Sequence, residues 1–396
     1  MRYLSTRGEA GASFADVLLG GPAPDGGLYL PEHWPQFAAK TIGEFAGLSY
    51  ADVAFRIMRP FIGDAFSHDD FRADIEAAYA GFAHKAVVPL VQLAPDFFLL
   101  ELFHGPTLAF KDVAMQLMGR LFARALAQRN RNATVIVATS GDTGSAAIAA
   151  LRGQPNVDVV VLHPKGRVSD VQRRQMTSVL DSNIHNIALE GSFDDTQSIV
   201  KTLFADNEFS TRTNLTAVNS INFARIVSQC VYYFTAAASL GAGFGRAVNF
   251  VVPTGNFGDI FAAEAAQRMG LPAGRLVIAT NENDILARTL KTGRYETGRA
   301  TPTLSPSMDI QVASNFERAL FEASGRDAAF VSNAMAGFAQ TRSLAIPPHI
   351  LEELQRRYLA ASTDDTETIA TIARIKRVRA GDRSAHRSRR GGGGET

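Results

Sequence analysis

A lysine and two glycine-rich loops are the features of this sequence whose residue types fit chemistry. Lys111 follows the apolar stretch Leu108-Ala109-Phe110, so we expect its ammonium group to lie partly away from water. Desolvation lowers the pKa of a lysine and leaves more of the neutral amine, which acts as a nucleophile or a base. Most lysines at helix starts are simply exposed, so Lys111 alone does not define a site.

The two loops are candidates for binding anions. Gly255-Asn256-Phe257-Gly258-Asp259 lies between a predicted strand and a predicted helix, where unpaired N–H groups and the helix dipole favour a phosphate. It lacks the Lys and Ser/Thr of a nucleotide P-loop. Ser140-Gly141-Asp142-Thr143-Gly144 is a second such loop, with two hydroxyls. Taken alone, a plain turn explains the first loop equally well, and a helix N-cap explains the second better.

The lysine and the two loops indicate a function only in combination. An aldehyde cofactor that carries a phosphate needs one amine and loops that bind anions. From about residue 96, apolar runs of strand length alternate with helical periods, which predicts a parallel sheet covered by helices. The predicted strands are 97–103, 134–139 and 248–252, with helices at 145–151 and ending near residue 270. We expect all three loops at one carboxyl edge of this sheet.

Composition bounds the class of protein. With 396 residues, 46% of them hydrophobic, the chain can bury a large core. Its 40 basic and 39 acidic residues give no overall attraction to nucleic acid or membrane, so neither is an expected partner. The single cysteine, Cys230, excludes internal disulfides and is expected to be a buried structural thiol. Residues 1–11 lack a secretory signal, which predicts a cytoplasmic location.

Other sites find no support in the sequence. The uncharged run Ile226–Gly245 is too polar for a membrane span and predicts a buried helix. His104, His163 and His185 form no cluster with cysteines or carboxylates, so no metal site is expected. The Gly-x-Ser-x-Gly elbow of hydrolases is not found.

Several segments resemble the signature segments of threonine synthases, in the same order and at the same spacing. The resemblance covers residues 1–373 and is carried by Met1–Gly8, Ala23–Pro31, His104–Asp112, Thr139–Ala146, Asn219–Arg225, Pro253–Asp259 and Ser307–Arg318. It implies the α/β architecture of fold-type II pyridoxal-phosphate (PLP) enzymes, with two αβ domains whose parallel-rich sheets surround a central cleft. The implied division is an N-terminal subdomain at 1–94, a catalytic region at 95–373 and a tail at 374–396.

The resemblance also implies the roles of the site residues. Lys111 would hold PLP covalently as an imine and, once displaced, would move protons at Cα and Cβ of the substrate. Gly255, Asn256, Phe257, Gly258 and Asp259 would bind the cofactor phosphate, while Ser140, Gly141, Asp142 and Thr143 would receive the substrate carboxylate. The substrate would be O-phospho-L-homoserine, which with water gives L-threonine and phosphate in the last step of threonine biosynthesis. Candidates to bind the substrate phosphate, unranked by sequence, are Lys165, Arg167, Ser169, Arg225 and Arg318. A monomer or a homodimer is expected.

The sequence departs from the family in residues 374–396. This segment has eight Lys and Arg against two acidic residues and no apolar period, which predicts disorder. A basic arm for nucleic acid or phospholipid is one interpretation. We favour a change of reading frame, because codons for 377–394 can be chosen so that a shifted frame resembles the segment that follows here in the family. Two alternatives to threonine synthase therefore stay open: a related PLP phospholyase or dehydratase, and an inactive, destabilised product that binds cofactor weakly.

Overall fold

The structure is a computed structural model that describes residues 1–218 and 220–390, apart from the side chains of residues 193, 194 and 378–390. The strands are β1 (Tyr3–Ser5), β2 (Ala10–Ala12), β3 (Tyr29–Pro31), β4 (Leu90–Ala94), β5 (Phe97–Leu100), β6 (Ala133–Ala138), β7 (Val157–Pro164), β8 (Ile184–Leu189), β9 (Leu215–Thr216), β10 (Val248–Pro253), β11 (Ala273–Thr280), β12 (Arg294–Glu296), β13 (Ser343–Ala345) and β14 (Tyr358–Ser362).

Helices cover most of the remaining described chain. They are α1 (Phe14–Gly20), α2 (Ala39–Glu44), α3 (Tyr50–Ile62), α4 (His68–Tyr79), α5 (Lys111–Gln128), α6 (Asp142–Leu151), α7 (Asp170–Thr177), α8 (Phe193–Ala205), α9 (Asn207–Thr213), α10 (Phe223–Ser239), α11 (Gly258–Arg268), α12 (Ile285–Thr292), α13 (Phe316–Ala323), α14 (Ala328–Thr341), α15 (Pro348–Arg357) and α16 (Asp365–Arg390). Short 3₁₀ turns lie at Phe45–Gly47, Gly63–Ala65, Ala242–Phe244 and Pro306–Met308.

Two parallel sheets organise the chain after β5. One has the strand order β8-β7-β6-β9 and the other the order β10-β11-β14, and every pairing in both is parallel. The predicted strands at 134–139 and 248–252 correspond to β6 and β10, and the helices predicted after them are α6 and α11. The α/β class with two parallel sheets is therefore confirmed.

Two predictions about the sheets were wrong. The expected strand at 97–103 ends at Leu100 and pairs antiparallel with β4 in a separate hairpin, because the two-residue connection Pro95-Asp96 favours a hairpin over a crossover. The loops after β6 and β10 also do not share a sheet edge, since β6 and β10 belong to different sheets. The two loops therefore face each other from two domains instead of lying side by side.

Helix α10 runs through the core. Its N-cap is Asn222, whose side chain accepts a hydrogen bond from the N–H of Ala224 at 3.0 Å. Fifteen of its 17 residues are buried, including Cys230, as predicted for the uncharged run that starts at Ile226. Across the described ranges, no helix has the length and apolar character needed to cross a membrane.

One face of the three-stranded sheet is open. Val251, Val277 and Leu359 occupy one row across β10, β11 and β14, in register. Val251 is 64% exposed and Leu359 is 47% exposed. Parallel sheets usually carry cover on both faces, so this row is an unusual apolar surface.

The long helix α16 differs from the expectation for the tail. Residues 374–390 were predicted to be disordered, whereas α16 continues to Arg390. Arginine, lysine and alanine have high helix propensity, so the helix that starts at Asp365 extends through them without an apolar face of its own. Ile369 and Ile372 on α16 are 55% and 63% exposed. The part of the predicted tail at 391–396 lies outside the described residues.

A buried carboxylate joins the N-terminal subdomain to the catalytic region. Glu317, 4% exposed, accepts hydrogen bonds from Thr6 Oγ1 at 2.6 Å and from Arg7 Nε and Nη2 at 3.0 and 2.9 Å. These bonds bridge more than 300 positions of the chain. They tie the segment that directly follows β1 to helix α13.

We expect Glu317→Gln to lower the free energy of unfolding by about 2 kcal/mol, because it removes the charge from hydrogen bonds to a buried acceptor. Urea unfolding followed by circular dichroism measures this change. The control is Glu190→Gln, which breaks an exposed ion pair with Lys165 and should leave the midpoint unchanged. Equal midpoints for wild type and Glu317→Gln would contradict the bridging role.

Candidate active site

The turn before α5 fixes the position of Lys111. Asp112, fully buried, accepts hydrogen bonds from the N–H and the hydroxyl of Thr107, both at 2.7 Å. A Cβ atom at Gly105 would lie 2.4 Å from Cβ of Asp112, so only glycine fits there. Leu108 has a φ of 63°, in the left-handed region that is uncommon for a leucine. The turn is therefore tightly built, and it makes Lys111 the first residue of α5.

Lys111 lies in a dry and charged environment. Its side chain is 14% exposed, and its Nζ donates to Asp142 Oδ2 at 3.2 Å. Burial lowers the pKa of Lys111 and is the largest influence on it. The carboxylate of Asp142 opposes this effect, whereas the nearby guanidinium of Arg225 adds to it. The prediction from sequence that the Lys111 amine is partly withdrawn from water agrees with this geometry.

Asp142 is the hub of the hydrogen bonds around the lysine. Besides Lys111, its carboxylate accepts hydrogen bonds from Gln172 Nε2 of α7 and from Ser307 Oγ. Burial alone would raise the pKa of Asp142, but the charge of Lys111 and the three hydrogen bonds hold it below its ordinary value. Asp142 is therefore ionised at neutral pH, and its side chain is turned toward the amine. Ser307 and Gln172 were not among the residues assigned from sequence.

The loop that contains Ser140 is shaped around Thr139. The hydroxyl of Thr139 accepts hydrogen bonds from the N–H groups of Gly141 and Gly144, at 2.9 and 3.0 Å. Gly141 has a φ of 139°, and a Cβ atom there would lie 2.1 Å from the side chain of Gln172. Neither Ser140 nor Thr143 has a hydroxyl hydrogen bond to any described residue. The loop thus presents two unused hydroxyls beside Asp142.

The loop after β10 presents backbone N–H groups. Phe257 is the N-cap of α11 with a φ of 65°, and its ring is buried against Phe316 and Tyr358. No acceptor within the described ranges receives the N–H groups of Gly255, Asn256, Phe257 or Gly258. The start of α11 therefore offers a row of free donors at the positive end of its dipole. The phenyl ring of Phe257 belongs to the core, so this residue contributes only its backbone.

Asp259 has a different role from its neighbours in the loop. Its carboxylate accepts hydrogen bonds from the hydroxyls of Tyr232 and Tyr233 on α10, the second at 2.7 Å. Burial raises the pKa of Asp259, and the two tyrosine hydrogen bonds oppose that change. The side chain thus fastens α11 to α10 and points away from the free donors. Only the backbone N–H of Asp259 is suited to an anion.

Segment 305–310 brings the two loops together. Ser307 Oγ donates to Asp142, and the carbonyl oxygen of Ser307 would lie 3.3 Å from a Cβ atom at Gly255. Cα of Met308 would lie equally close, and Cδ1 of Ile310 would lie 3.0 Å away. Gly255 thus favours close packing of this segment, a reason that the spacing of the motif did not indicate. The amine, the hydroxyl loop and the N–H loop surround one cleft between the two sheets.

The five residues named as candidates to bind the substrate phosphate differ in burial and in their protein partners. Lys165 is exposed and paired with Glu190, Arg167 is exposed, and Ser169 caps α7. Arg318 is fully buried, but it donates to the carbonyl oxygens of Tyr29 and Ile221 and to Asn315. Arg225 is also buried, and its charge lowers the pKa of Lys111.

Two protein-family profiles match this chain. The profile described as "Threonine synthase N terminus" matches residues 2–79, and the profile described as "Pyridoxal-phosphate dependent enzyme" matches residues 86–346. The first profile spans β1 to α4. The second spans the four-stranded parallel sheet and strands β10 and β11 of the other sheet, and it ends before β14. The fold-type II architecture that the resemblance implied is therefore confirmed.

Individual relatives agree with the profiles. The threonine synthase of Pseudomonas aeruginosa is 52% identical over 378 residues, a match that covers 95% of this chain and 80% of the relative. The threonine synthase of Saccharomyces cerevisiae is 42% identical, covering 94% and 78%. The crystal structure of PLP-bound threonine synthase from Brucella melitensis superposes with a TM-score of 0.92 at 54% identity, covering 95% and 81%. The chain therefore belongs to the threonine synthase family of pyridoxal-phosphate-dependent enzymes.

Proposed function

We propose that this chain converts O-phospho-L-homoserine and water to L-threonine and phosphate. The observation that supports the proposal is the desolvated amine of Lys111, 3.2 Å from Asp142 and flanked by two loops suited to anions. The substrate carries two anionic groups, a carboxylate and a phosphate, and the cofactor carries a third. Membership of the family makes the PLP-dependent lyase chemistry itself established for this chain.

The described residues fit the cofactor. A partly buried primary amine with a lowered pKa suits attack on an aldehyde, and Lys111 has this property. The free N–H groups of Gly255, Asn256, Phe257 and Gly258 suit a phosphate at a helix N-terminus. Bound there, PLP supplies an electron sink for the pair of electrons left on a substrate carbon when a proton is removed.

Lys111 is the residue that we assign to proton transfer. With the cofactor bound, the neutral amine of Lys111 would take one proton from Cα and one from Cβ as phosphate leaves Cγ. It would return one proton to Cγ and, after water adds at Cβ, one to Cα. Asp142 holds the lysine at the mouth of the cleft through the 3.2 Å contact, so the amine stays within reach of these atoms. The low exposure of Lys111 limits competing protonation by bulk water.

The substrate carboxylate is assigned to the loop at 140–143. The unpaired hydroxyls of Ser140 and Thr143 and the N–H groups at the start of α6 are donors without a partner in the described chain. The carboxylate of Asp142 repels an anion and is not itself a ligand for it; its bonds to Gln172 and Ser307 keep it turned away. A cytoplasmic location and a monomeric or dimeric state stay predictions.

We expect Lys111→Ala to abolish threonine formation, with a loss of at least about 10³-fold in kcat, because no other described amine lies beside Asp142. The assay measures threonine and inorganic phosphate released from O-phospho-L-homoserine. Borohydride reduction followed by peptide mapping should attach the cofactor to Lys111 in the wild type only. The control is Lys165→Ala, an exposed lysine that should retain activity.

The same assay separates the alternatives. Phosphate released with an oxo acid and no threonine would identify a phospholyase instead of a synthase. Cofactor trapped on Lys111 without phosphate release would identify a binding protein without turnover. Either result would contradict the proposed reaction while leaving the family unchanged.

Cofactor loading should depend on pH through the amine of Lys111. Loading requires the neutral Lys111 amine, so its rate rises as the pH passes the pKa of Lys111. Asp142 raises that pKa against the effect of burial, so Asp142→Asn should shift the midpoint to lower pH. Stopped-flow absorbance over a pH series measures the midpoint. Asp170→Asn, an exposed change on α7, is the control, and equal shifts in both variants would contradict the role of Asp142.

A further inference from the structure

A cavity of about 480 Å³ lies at the end of the four-stranded sheet that is opposite to the catalytic cleft. Ala133, the first residue of β6, lines the cavity, whereas the loop that carries Asp142 follows the last residue of β6. Leu126 also lines it and is fifteen positions from Lys111 on α5, or about 22 Å along the helix axis. The cavity is therefore separate from the cleft, and its volume lies within the range of about 300–1,000 Å³ that is usual for small-molecule sites.

The floor of the cavity is apolar. Phe122 and Leu126 of α5 are 1% and 2% exposed, and Leu19 of α1 and Leu215 of β9 add two partly buried aliphatic side chains. Apolar atoms that settle on this floor leave water, which favours their binding. The floor thus suits a ligand with an apolar body.

Tyr29 of β3 is a buried polar side chain in the wall of the cavity. It is 5% exposed, and its hydroxyl has no hydrogen-bond partner among the residues that the structure describes. Burial raises the pKa of Tyr29, and the nearby carboxylates of Glu9, Asp16 and Asp25 add to this effect, so the hydroxyl stays protonated. Because Asp16 also lines the cavity, its influence on the phenol places the hydroxyl on the cavity side. Tyr29 therefore offers a free donor to a ligand.

Two arginines give the lining a net positive charge. Arg129 Nη2 donates to Asp16 Oδ1 at 2.8 Å, and the other oxygen of Asp16 accepts hydrogen bonds from Ser13, the N-cap of α1. Arg131 Nη2 donates to the amide oxygen of Asn214 at 3.3 Å, and within the described ranges no carboxylate pairs with this arginine. The lining thus carries two guanidinium groups against one carboxylate that is already engaged, a balance that favours a monoanion.

We propose that this cavity binds a small carboxylate with an apolar body. Arg131 and the hydroxyl of Tyr29 would bind the carboxylate, and the apolar part would lie over Phe122 and Leu126. A guanidinium offers two parallel N–H donors, which match the two oxygens of a carboxylate. A simple carboxylic acid and an α-amino acid share this chemistry, and for the amino acid Asp16 supplies an acceptor for the ammonium group. The ligand would contact the same helix, α5, that begins with Lys111.

Calorimetric titration of the full-length, cofactor-loaded chain with 4-methylpentanoate tests the proposal. The wild type should bind this acid saturably. Tyr29→Phe and Arg131→Met should each weaken the affinity by about 10-fold or more, because each removes a donor to a charged group. Tyr29→Phe retains the buried ring, so the variant should fold. The matched control is Arg120→Met, which removes an arginine of α5 outside the cavity and should bind as the wild type does.

A parallel titration with L-leucine distinguishes the two sources of the carboxylate. Tighter binding of L-leucine that is lost in Asp16→Asn would identify an α-amino acid as the ligand, whereas tighter binding of 4-methylpentanoate would identify a simple acid, and both results support the proposal. Ser140→Ala separates the cavity from the catalytic cleft. Binding that falls in Ser140→Ala but not in Tyr29→Phe would place the ligand in the cleft and overturn the proposal. The absence of saturable binding of either compound to the wild type would overturn it as well.

Discussion

The ion pair between Lys111 and Asp142 is the contact on which the rest of the site depends. A lysine in a poorly hydrated cleft loses its charge unless a carboxylate compensates, and a lone carboxylate there would be protonated. Each group favours the charged form of the other, and the pair fixes the position of the amine. Asp142 in turn is fixed by Gln172 and Ser307, so one carboxylate gathers side chains from α5, α6, α7 and the segment before α13. Movement of any of these segments changes the environment of the amine.

Glycine occupies three positions around the site where a larger residue would collide with a neighbouring side chain. Gly105, Gly141 and Gly255 each lie where a Cβ atom would meet a neighbour at 3.0 Å or less. At Gly105 the neighbour is Asp112, at Gly141 it is Gln172, and at Gly255 it is the segment that carries Ser307. Gly141 and Gly255, which lie in the two loops predicted to bind anions, are therefore also constrained by packing. Gly105 is constrained by packing within the turn that precedes α5.

The elements next to the site could be predicted from the sequence. The hydrogen-bond partners that come from distant parts of the chain could not. The strands β6 and β10, the helices after them and the burial of Lys111 follow from apolar runs and turn residues. The partners of Asp142 lie 30 and 165 positions away, and neither Gln172 nor Ser307 stands out from other polar residues. Likewise, the placement of the two loops on separate sheets depends on the crossover connections, which hydrophobic periodicity does not encode. The side chain of Asp259 turned toward α10 for the same reason: its tyrosine partners become neighbours only in the folded chain.

The sequence also does not distinguish Arg225 from Arg318. Both are arginines in family-like segments, and both are buried, so residue type and burial do not distinguish them. The difference lies in what surrounds each guanidinium. Each guanidinium nitrogen of Arg318 donates to the protein, whereas Nε of Arg225 has no hydrogen bond within the described residues. Residue type and spacing leave the two arginines equivalent, so only the contacts of the folded chain separate an arginine whose nitrogens all bond to the protein from one with an unpaired nitrogen.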